Sequence, residues 1–155
     1  PVSGYLRRDV GIWAAVLGSV HVIAGLQVHL GGSFWLYFLP PTDAPHAFPM
    51  RLDAFGLTNY AGLAAALVLL MLLSLSNDAS LRRLGRRRWK SLQRWNYAAA
   101  ALVAAHGAVY QVLEKRTAGF VVAFAASGLL VLAAQVAGFR ATQDKLAGRK
   151  RAPSA

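Results

Sequence analysis

Four long stretches of this chain contain no charged residue, and they limit what it can fold into: residues 11–30, 56–77, 95–113 and 117–139. Each has about the 20 residues that an α-helix needs to cross the hydrocarbon core of a bilayer. Only 15% of the 155 residues are charged, whereas a soluble domain carries roughly a quarter. Because a helix satisfies its own backbone hydrogen bonds inside a membrane, we predict an all-α integral membrane four-helix bundle.

The basic residues are distributed unevenly about these stretches. The chain has 17 Lys and Arg against 6 Asp and Glu, a net charge of +11. All but Arg51, Lys115 and Arg116 lie before the first stretch, in the loop between the second and third, or after the fourth. The positive-inside rule therefore predicts a protein of the cell (inner or plasma) membrane with both termini in the cytoplasm. No nucleic-acid-binding pattern accompanies the charge, so we expect the lipid bilayer and no nucleic acid as partner.

The connection between the first two stretches, residues 31–55, is rich in proline and aromatic residues. Its prolines are Pro40, Pro41, Pro45 and Pro49. This composition is too apolar for a free linker and too rich in proline for a regular helix. We expect a cap lying on the outer membrane face. Residues 1–151 are then one transmembrane domain, and residues 152–155 are expected to be a disordered tail.

Two of the four histidines lie clearly inside the predicted spans, where an ionisable side chain is costly and indicates a functional site. His21 follows Arg8 by 13 residues, and His106 follows Arg94 by 12. Both spans run outward, so at about 1.5 Å of rise per residue both imidazoles lie roughly 18–20 Å from the cytoplasmic edge. The two side chains are thus expected at one depth, in the outer half of the bilayer.

Two neutral imidazoles that face each other at one depth are what a six-coordinate haem iron requires, since the porphyrin supplies the other four nitrogens. Gly18 and Gly25 share the helix face of His21, and small residues there leave room for a flat macrocycle. Arg51 on the outer side is a candidate partner for a haem propionate. The chain has no cysteine, which excludes iron–sulfur clusters and covalent c-type haem attachment.

Two other interpretations of His21 and His106 remain open at this point. A histidine in a span is often a hydrogen-bonded packing residue, and a chlorophyll-type pigment needs only one axial histidine for each magnesium. Pigment sites do not require the two histidines to pair, so their matched depth favours haem. His29 and His46 are expected at the outer interface, either solvated or forming a quinone or outer acceptor site beside the haem.

Two segments resemble a known family of membrane proteins. Residues 72–77 (LLSLSN) and 81–97 (LRRLGRRRWKSLQRWNY), leading up to His106, form a span end followed by a basic, tryptophan-containing junction. This resembles the ferric-reductase-like transmembrane domain of ferric reductases, NADPH oxidases and the haem-binding subunit of a periplasmic methionine sulfoxide reductase system. Residues 7–11 (RRDVG) and 17–21 (LGSVH) are similar to the family's first haem-bearing helix.

The resemblance implies one haem rather than the two that many members of the family stack. His21 and His106 correspond to the ligands of the outer haem. The inner ligand positions hold Gln93 and Arg7, which are not plausible iron ligands. The implied cofactor is therefore a single b-type haem near the outer face, with quinone as a possible substrate.

The sequence favours an electron-transfer subunit of an oxidoreductase complex over a complete enzyme. The chain has no nucleotide-binding glycine motif, so we expect electrons to pass between membrane quinol and an outer-face redox protein. Three alternatives remain: a structural or assembly subunit with an architectural haem or pigment, a stand-alone metalloreductase, and a small transporter. The transporter is disfavoured because the spans carry few polar residues.

Overall fold

A computed structural model describes residues 2–40 and 49–151, and all regular structure in these ranges is helical. The five α-helices are α1 (Val2–Val28), α2 (Ala54–Leu75), α3 (Asp78–Gln93), α4 (Trp95–Leu113) and α5 (Ala118–Arg151). Two short 3-10 helices, Leu30–Gly32 and Phe34–Tyr37, follow α1. The prediction of an all-α chain is confirmed for the described residues. His46 and the predicted tail, residues 152–155, lie outside them.

Three of these helices are long and apolar enough to cross a membrane. The segments are Arg8–Val28, Ala54–Leu75 and Ala118–Asp144. The third predicted span, residues 95–113, is helical as expected but is not among them. Its apolar residues are interrupted by Asn96, His106 and Gln111. Its crossing of the membrane therefore stays a prediction.

The chain divides into two compact units, Pro1–Leu113 and Glu114–Ala155. In the first, α2 packs along α4 and also against α1. Ala15, Ala65 and Ala99 are buried in this unit, because small side chains let helix backbones approach closely. The second unit contains α5, whose described side chains are exposed along nearly the whole helix. A single transmembrane domain over residues 1–151 stays a prediction.

The basic connection between α2 and α4, which we predicted to be a loop, is largely helical. Asn77 caps α3 by accepting a hydrogen bond from the Ser80 backbone N–H at 2.8 Å. Gly85 interrupts the helix with φ of 69°, a conformation that glycine adopts without strain. Beyond this kink, the Trp89 indole donates to the Leu75 carbonyl at 2.9 Å. This bond ties the second half of α3 to the end of α2.

The residues after α1 are tied to the helix ends beside them. The Tyr37 hydroxyl donates to the Gly25 carbonyl, and the Tyr60 hydroxyl donates to the Phe38 carbonyl, each at 2.7 Å. The Arg51 backbone N–H donates to the same Phe38 carbonyl at 2.8 Å. We call this side of the first unit, with the last residues of α1 and α4 and the first of α2, the loop end. The opposite side, with α3, is the basic end.

Candidate functional site

The two histidines that the sequence singled out lie side by side near the loop end. The ring centroids of His21 on α1 and His106 on α4 are 6.3 Å apart, and the ring planes meet at 88°. His106 is half-buried, whereas His21 is exposed on the surface of the first unit. An exposed imidazole in the apolar part of α1 is available to a ligand. The structure thus places the two imidazoles beside each other.

The His106 ring has one nitrogen held by the backbone of α2. Its Nδ1 atom lies 2.9 Å from the carbonyl oxygen of Thr58, a buried residue in the second turn of α2. A carbonyl oxygen only accepts, so Nδ1 carries the proton and donates it in this hydrogen bond. The lone pair of a neutral imidazole then resides on Nε2. This is the tautomer that binds a metal through Nε2, with its other nitrogen oriented by a carbonyl.

Gly62 leaves the space that this ring occupies. A Cβ atom at Gly62 would lie 2.6 Å from Nδ1 and 2.7 Å from Cε1 of His106. Such separations are well inside van der Waals contact, so any larger residue would displace the ring. Since the ring is also hydrogen-bonded to Thr58, one turn earlier on α2, the displacement would stretch that bond. The absence of a side chain at residue 62 is thus a requirement of the site.

The face of the His106 ring packs on Tyr110, one helical turn further along α4. Their ring centroids are 4.9 Å apart, and the Tyr110 hydroxyl donates to Asn59 Oδ1 at 2.8 Å. Asn59 is 7% exposed, and its Nδ2 atom has no hydrogen-bond partner within the described part of the chain. Phe55 extends the cluster, with its centroid 6.1 Å from that of Tyr110. The site is therefore continuous with the loop-end packing.

The two glycines expected to make room for a macrocycle have different surroundings. A Cβ atom at Gly25 would meet nothing within 4 Å, whereas one at Gly18 would lie 3.4 Å from Leu69 Cδ1 on α2. Gly18 is thus a contact between α1 and α2. Gly25 has open space, and its carbonyl accepts the hydrogen bond from Tyr37.

Arg51 has three partners at the loop end. Its Nε atom lies 3.0 Å from both carboxylate oxygens of Asp53, and Nη1 donates to the Leu36 carbonyl at 2.8 Å. Its guanidinium carbon is 4.4 Å from the ring centroid of Phe55. These contacts fasten the connection to the start of α2. Arg51 thus has a structural role, and its predicted contact with a haem propionate stays a prediction.

Asp53 completes this junction as the N-cap of α2. It accepts from the Gly56 backbone N–H at 2.8 Å. Partial burial raises the pKa of Asp53, but the hydrogen bonds from Gly56 and Arg51 and the charge of Arg51 outweigh it, so the pKa lies below its ordinary value. The carboxylate is therefore stabilised in its charged form. A Cβ atom at Gly56 would collide with the Arg51 carbonyl, so this position also requires glycine.

The remaining candidate of the outer acceptor site is His29, which follows the end of α1. It is half-buried and precedes the first 3-10 helix as its N-cap, with its backbone N–H donating to the Gly25 carbonyl at 3.3 Å. The described residues contain no group of three or more His, Cys, Asp or Glu side chains that could hold a metal ion. His21 and His106 together supply two nitrogen ligands, and a porphyrin would supply four more.

The spacing of the pair is compatible with two histidine ligands on one metal ion. A metal–nitrogen bond is about 2.0 Å long, and the ring centroids of His21 and His106 are 6.3 Å apart. The tautomer of His106 and the exposure of His21 suit the same use.

Comparisons with family models, curated proteins and solved structures find no match for this chain.

Sequence reasoning missed four contributors to this site: Thr58, Asn59, Gly62 and Tyr110. Tyr110 lies four residues after His106 and Gly62 four after Thr58, so helical periodicity places each pair on one face. That signal does not say which helix the face meets. Every residue has a backbone carbonyl, so the residue type at position 58 could not predict this hydrogen bond.

Proposed function

We propose that this chain is a membrane b-type cytochrome subunit that carries single electrons between the quinone pool and an outer-face redox protein. The observation that carries the proposal is the pair of imidazoles at 6.3 Å. His21 and His106 would be the axial ligands of one haem. The resemblance of residues 7–21 and 72–106 to the ferric-reductase-like transmembrane domain supports the same assignment.

The protein residues at this site bind and orient. His106 presents Nε2 as a lone-pair donor because Nδ1 donates to the Thr58 carbonyl. His21 offers the second imidazole from an exposed position on α1. A haem held between them would supply one-electron chemistry through the ferric and ferrous states of its iron. Asn59 adds a buried amide donor without a described partner, close to Tyr110 and the histidine pair.

The four-helix arrangement and its orientation belong to this proposal. The polar residues that make α4 less apolar include His106 and Tyr110, which both bond or pack within the protein. A span whose polar groups are satisfied by a neighbouring helix is compatible with the bilayer. The exposed basic residues of α3 favour a cytoplasmic location for the basic end: Arg82, Arg83, Arg86, Arg87, Arg88 and Lys90.

This orientation decides where the electron partners bind. The histidine pair lies near the loop end, roughly 18–20 Å of helix from the basic end. Transfer from a cytoplasmic donor over that distance would be slow, so the donor and the acceptor are expected on the outer side. Membrane quinol near His29 and a redox protein on the outer face meet this requirement.

The test is a reduced-minus-oxidised absorption spectrum of the purified chain. We expect a b-type signal that is lost in His21→Ala and in His106→Ala. Gln27→Ala, on the exposed surface of α1, is the matched control and should keep the signal. A wild-type chain without the signal, or a signal that survives both histidine substitutions, would refute the proposal. Reduction of the oxidised His29→Ala variant by quinol at the wild-type rate would exclude His29 from the quinone site.

A structural or assembly subunit is the second candidate, and the same pair of rings is compatible with it. Aromatic rings in edge-to-face contact have centroids about 4.5–7 Å apart, a range that includes the 6.3 Å seen here. The two candidates differ in their redox behaviour. A structural subunit would bind a haem or pigment that neither quinol nor a partner protein reduces. Reduction of ferric chelates by the isolated chain would instead indicate a stand-alone metalloreductase.

A further inference from the structure

We propose that α2, which supplies no axial histidine, positions the His106 imidazole and sets its strength as an iron ligand. The positioning residues are Gly62, through the space it leaves, and Thr58, through its carbonyl oxygen. This inference rests on the proposed haem function. It adds that a helix outside the ligand pair tunes the affinity for haem and its midpoint potential.

The space for the His106 ring is limited by α2. A Cβ atom at residue 62 would approach two atoms of the His106 ring to 2.6 and 2.7 Å. The ring cannot move away freely, because it is also held by its hydrogen bond of 2.9 Å to Thr58. It packs on the Tyr110 ring as well, whose centroid is 4.9 Å away. The position of the imidazole is therefore determined by the α2 backbone on one side and by its own helix on another.

The hydrogen bond to the Thr58 carbonyl also changes the electron density of the His106 ring. Donation from Nδ1–H to a carbonyl gives the imidazole partial anionic character and makes Nε2 a stronger donor. A stronger donor stabilises ferric iron relative to ferrous iron, so it lowers the midpoint potential. Thr58 is 5% exposed, and water therefore has little access to compete for the bond. Its carbonyl is thus a fixed, dry acceptor for the histidine.

The Tyr110 hydroxyl limits the movement of α4 relative to α2. It donates to Asn59 on α2 at 2.8 Å, one residue after the carbonyl that holds His106. Two hydrogen bonds from one face of α4 thus end on consecutive residues of α2. They fix the register of the two helices, and with it the height of the imidazole.

The main experiment compares Gly62→Ala with Gly11→Ala in the full-length chain. Both substitutions gain the same helix propensity, but a Cβ atom at Gly11 meets nothing within 4 Å. We expect Gly62→Ala to lose about 10- to 100-fold in haem affinity, the usual effect of removing the support of a metal-binding histidine. The midpoint potential should rise, by about 59 mV for each tenfold change in the preference for ferrous iron. Wild-type affinity and potential in Gly62→Ala would overturn the inference.

A second experiment remains informative if Gly62→Ala does not fold. In His106→Gly, free imidazole can occupy the vacated position and donate to the Thr58 carbonyl. 1-Methylimidazole has no such proton, and its methyl group would take the place of the proton and meet the Thr58 carbonyl. We expect imidazole to restore the low-spin spectrum at least tenfold more effectively than 1-methylimidazole. Equal restoration would show that α2 does not position the ligand.

The outcomes separate this inference from the function on which it rests. If the wild-type chain binds no haem, or keeps it without both histidines, the proposed function fails. If the wild-type chain binds haem through His21 and His106 but Gly62→Ala behaves as Gly11→Ala does, only the positioning role of α2 fails.

Discussion

The Nδ1 atom of His106 lies 2.9 Å from the carbonyl oxygen of Thr58, a residue 48 positions earlier in the chain. This bond joins α4 to the second turn of α2 and fixes which ring nitrogen remains free. His21 reaches the same place from α1, whose Gly18 lies close to Leu69 of α2. The geometry of the candidate site thus depends on α2 as much as on the two helices that carry the histidines.

The hydrogen bond between Tyr110 and Asn59 should contribute measurably to stability. Tyr110→Phe removes the donor and leaves the buried Asn59 amide with one partner fewer. We expect a loss of about 0.5–2 kcal/mol in the free energy of unfolding, the range for buried and interhelical hydrogen bonds. Unfolding in detergent micelles measures it. Tyr97→Phe, at a residue that is 63% exposed, is the control, and an equal effect of both variants would contradict the prediction.

Tyr37 should hold the 3-10 segments against the end of α1. It is 4% exposed, and its hydroxyl donates to the Gly25 carbonyl at 2.7 Å. Tyr37→Phe keeps the ring but removes this bond, so amide exchange at residues 30–38 should become faster while exchange in the middle of α2 stays unchanged. Hydrogen exchange with mass spectrometry distinguishes the two regions. Unchanged exchange at residues 30–38 would show that ring packing alone holds the segment.

Asp53 should make the start of α2 sensitive to acid. Its pKa in the folded chain lies below the ordinary value of 3.8, so its stabilising effect is complete above that value and is lost as pH falls below it. Thermal midpoints measured from pH 6 to pH 3 should therefore fall in the wild type and fall less in Asp53→Asn. Asparagine still caps a helix, so the difference isolates the charge. Glu114→Gln is the control for an exposed carboxyl, and a wild-type pH profile in Asp53→Asn would refute this role.

Single cysteines can establish the orientation, because the natural chain has none. We expect an impermeant thiol reagent applied from outside intact cells to label Ser33→Cys at the loop end. It should label Ala79→Cys at the start of α3 only after the membrane is broken. Thr117→Cys, between α4 and α5, should be labelled from outside if α4 crosses the membrane. Protection of Thr117→Cys together with labelling of Ser33→Cys would show that α4 does not cross.

Much of the architecture could be predicted without tertiary information. Long uncharged stretches predict helices because a bilayer leaves no other partner for backbone polar groups. Residues 95–113 and the other three stretches form helices as predicted, although the helix bounds differ at the ends. It failed for the basic connection, which forms α3. There the Asn77 cap and the long side chains favour a helix, although the charge had suggested only a loop.

The sequence by itself determined the helical class and the choice of His21 and His106 as a pair, since residue counts fix depth along a regular helix. Only the tertiary structure decided how that pair is supported. The residue type at position 58 does not reveal that its carbonyl is used, and Gly62 matters because the His106 ring of α4 lies against it. The sequence likewise showed Arg51 only as a cation on the predicted outer side. In the fold it forms hydrogen bonds with the Leu36 carbonyl and with Asp53. Contacts between helices depend on which faces meet, and periodicity along one helix cannot specify its neighbour.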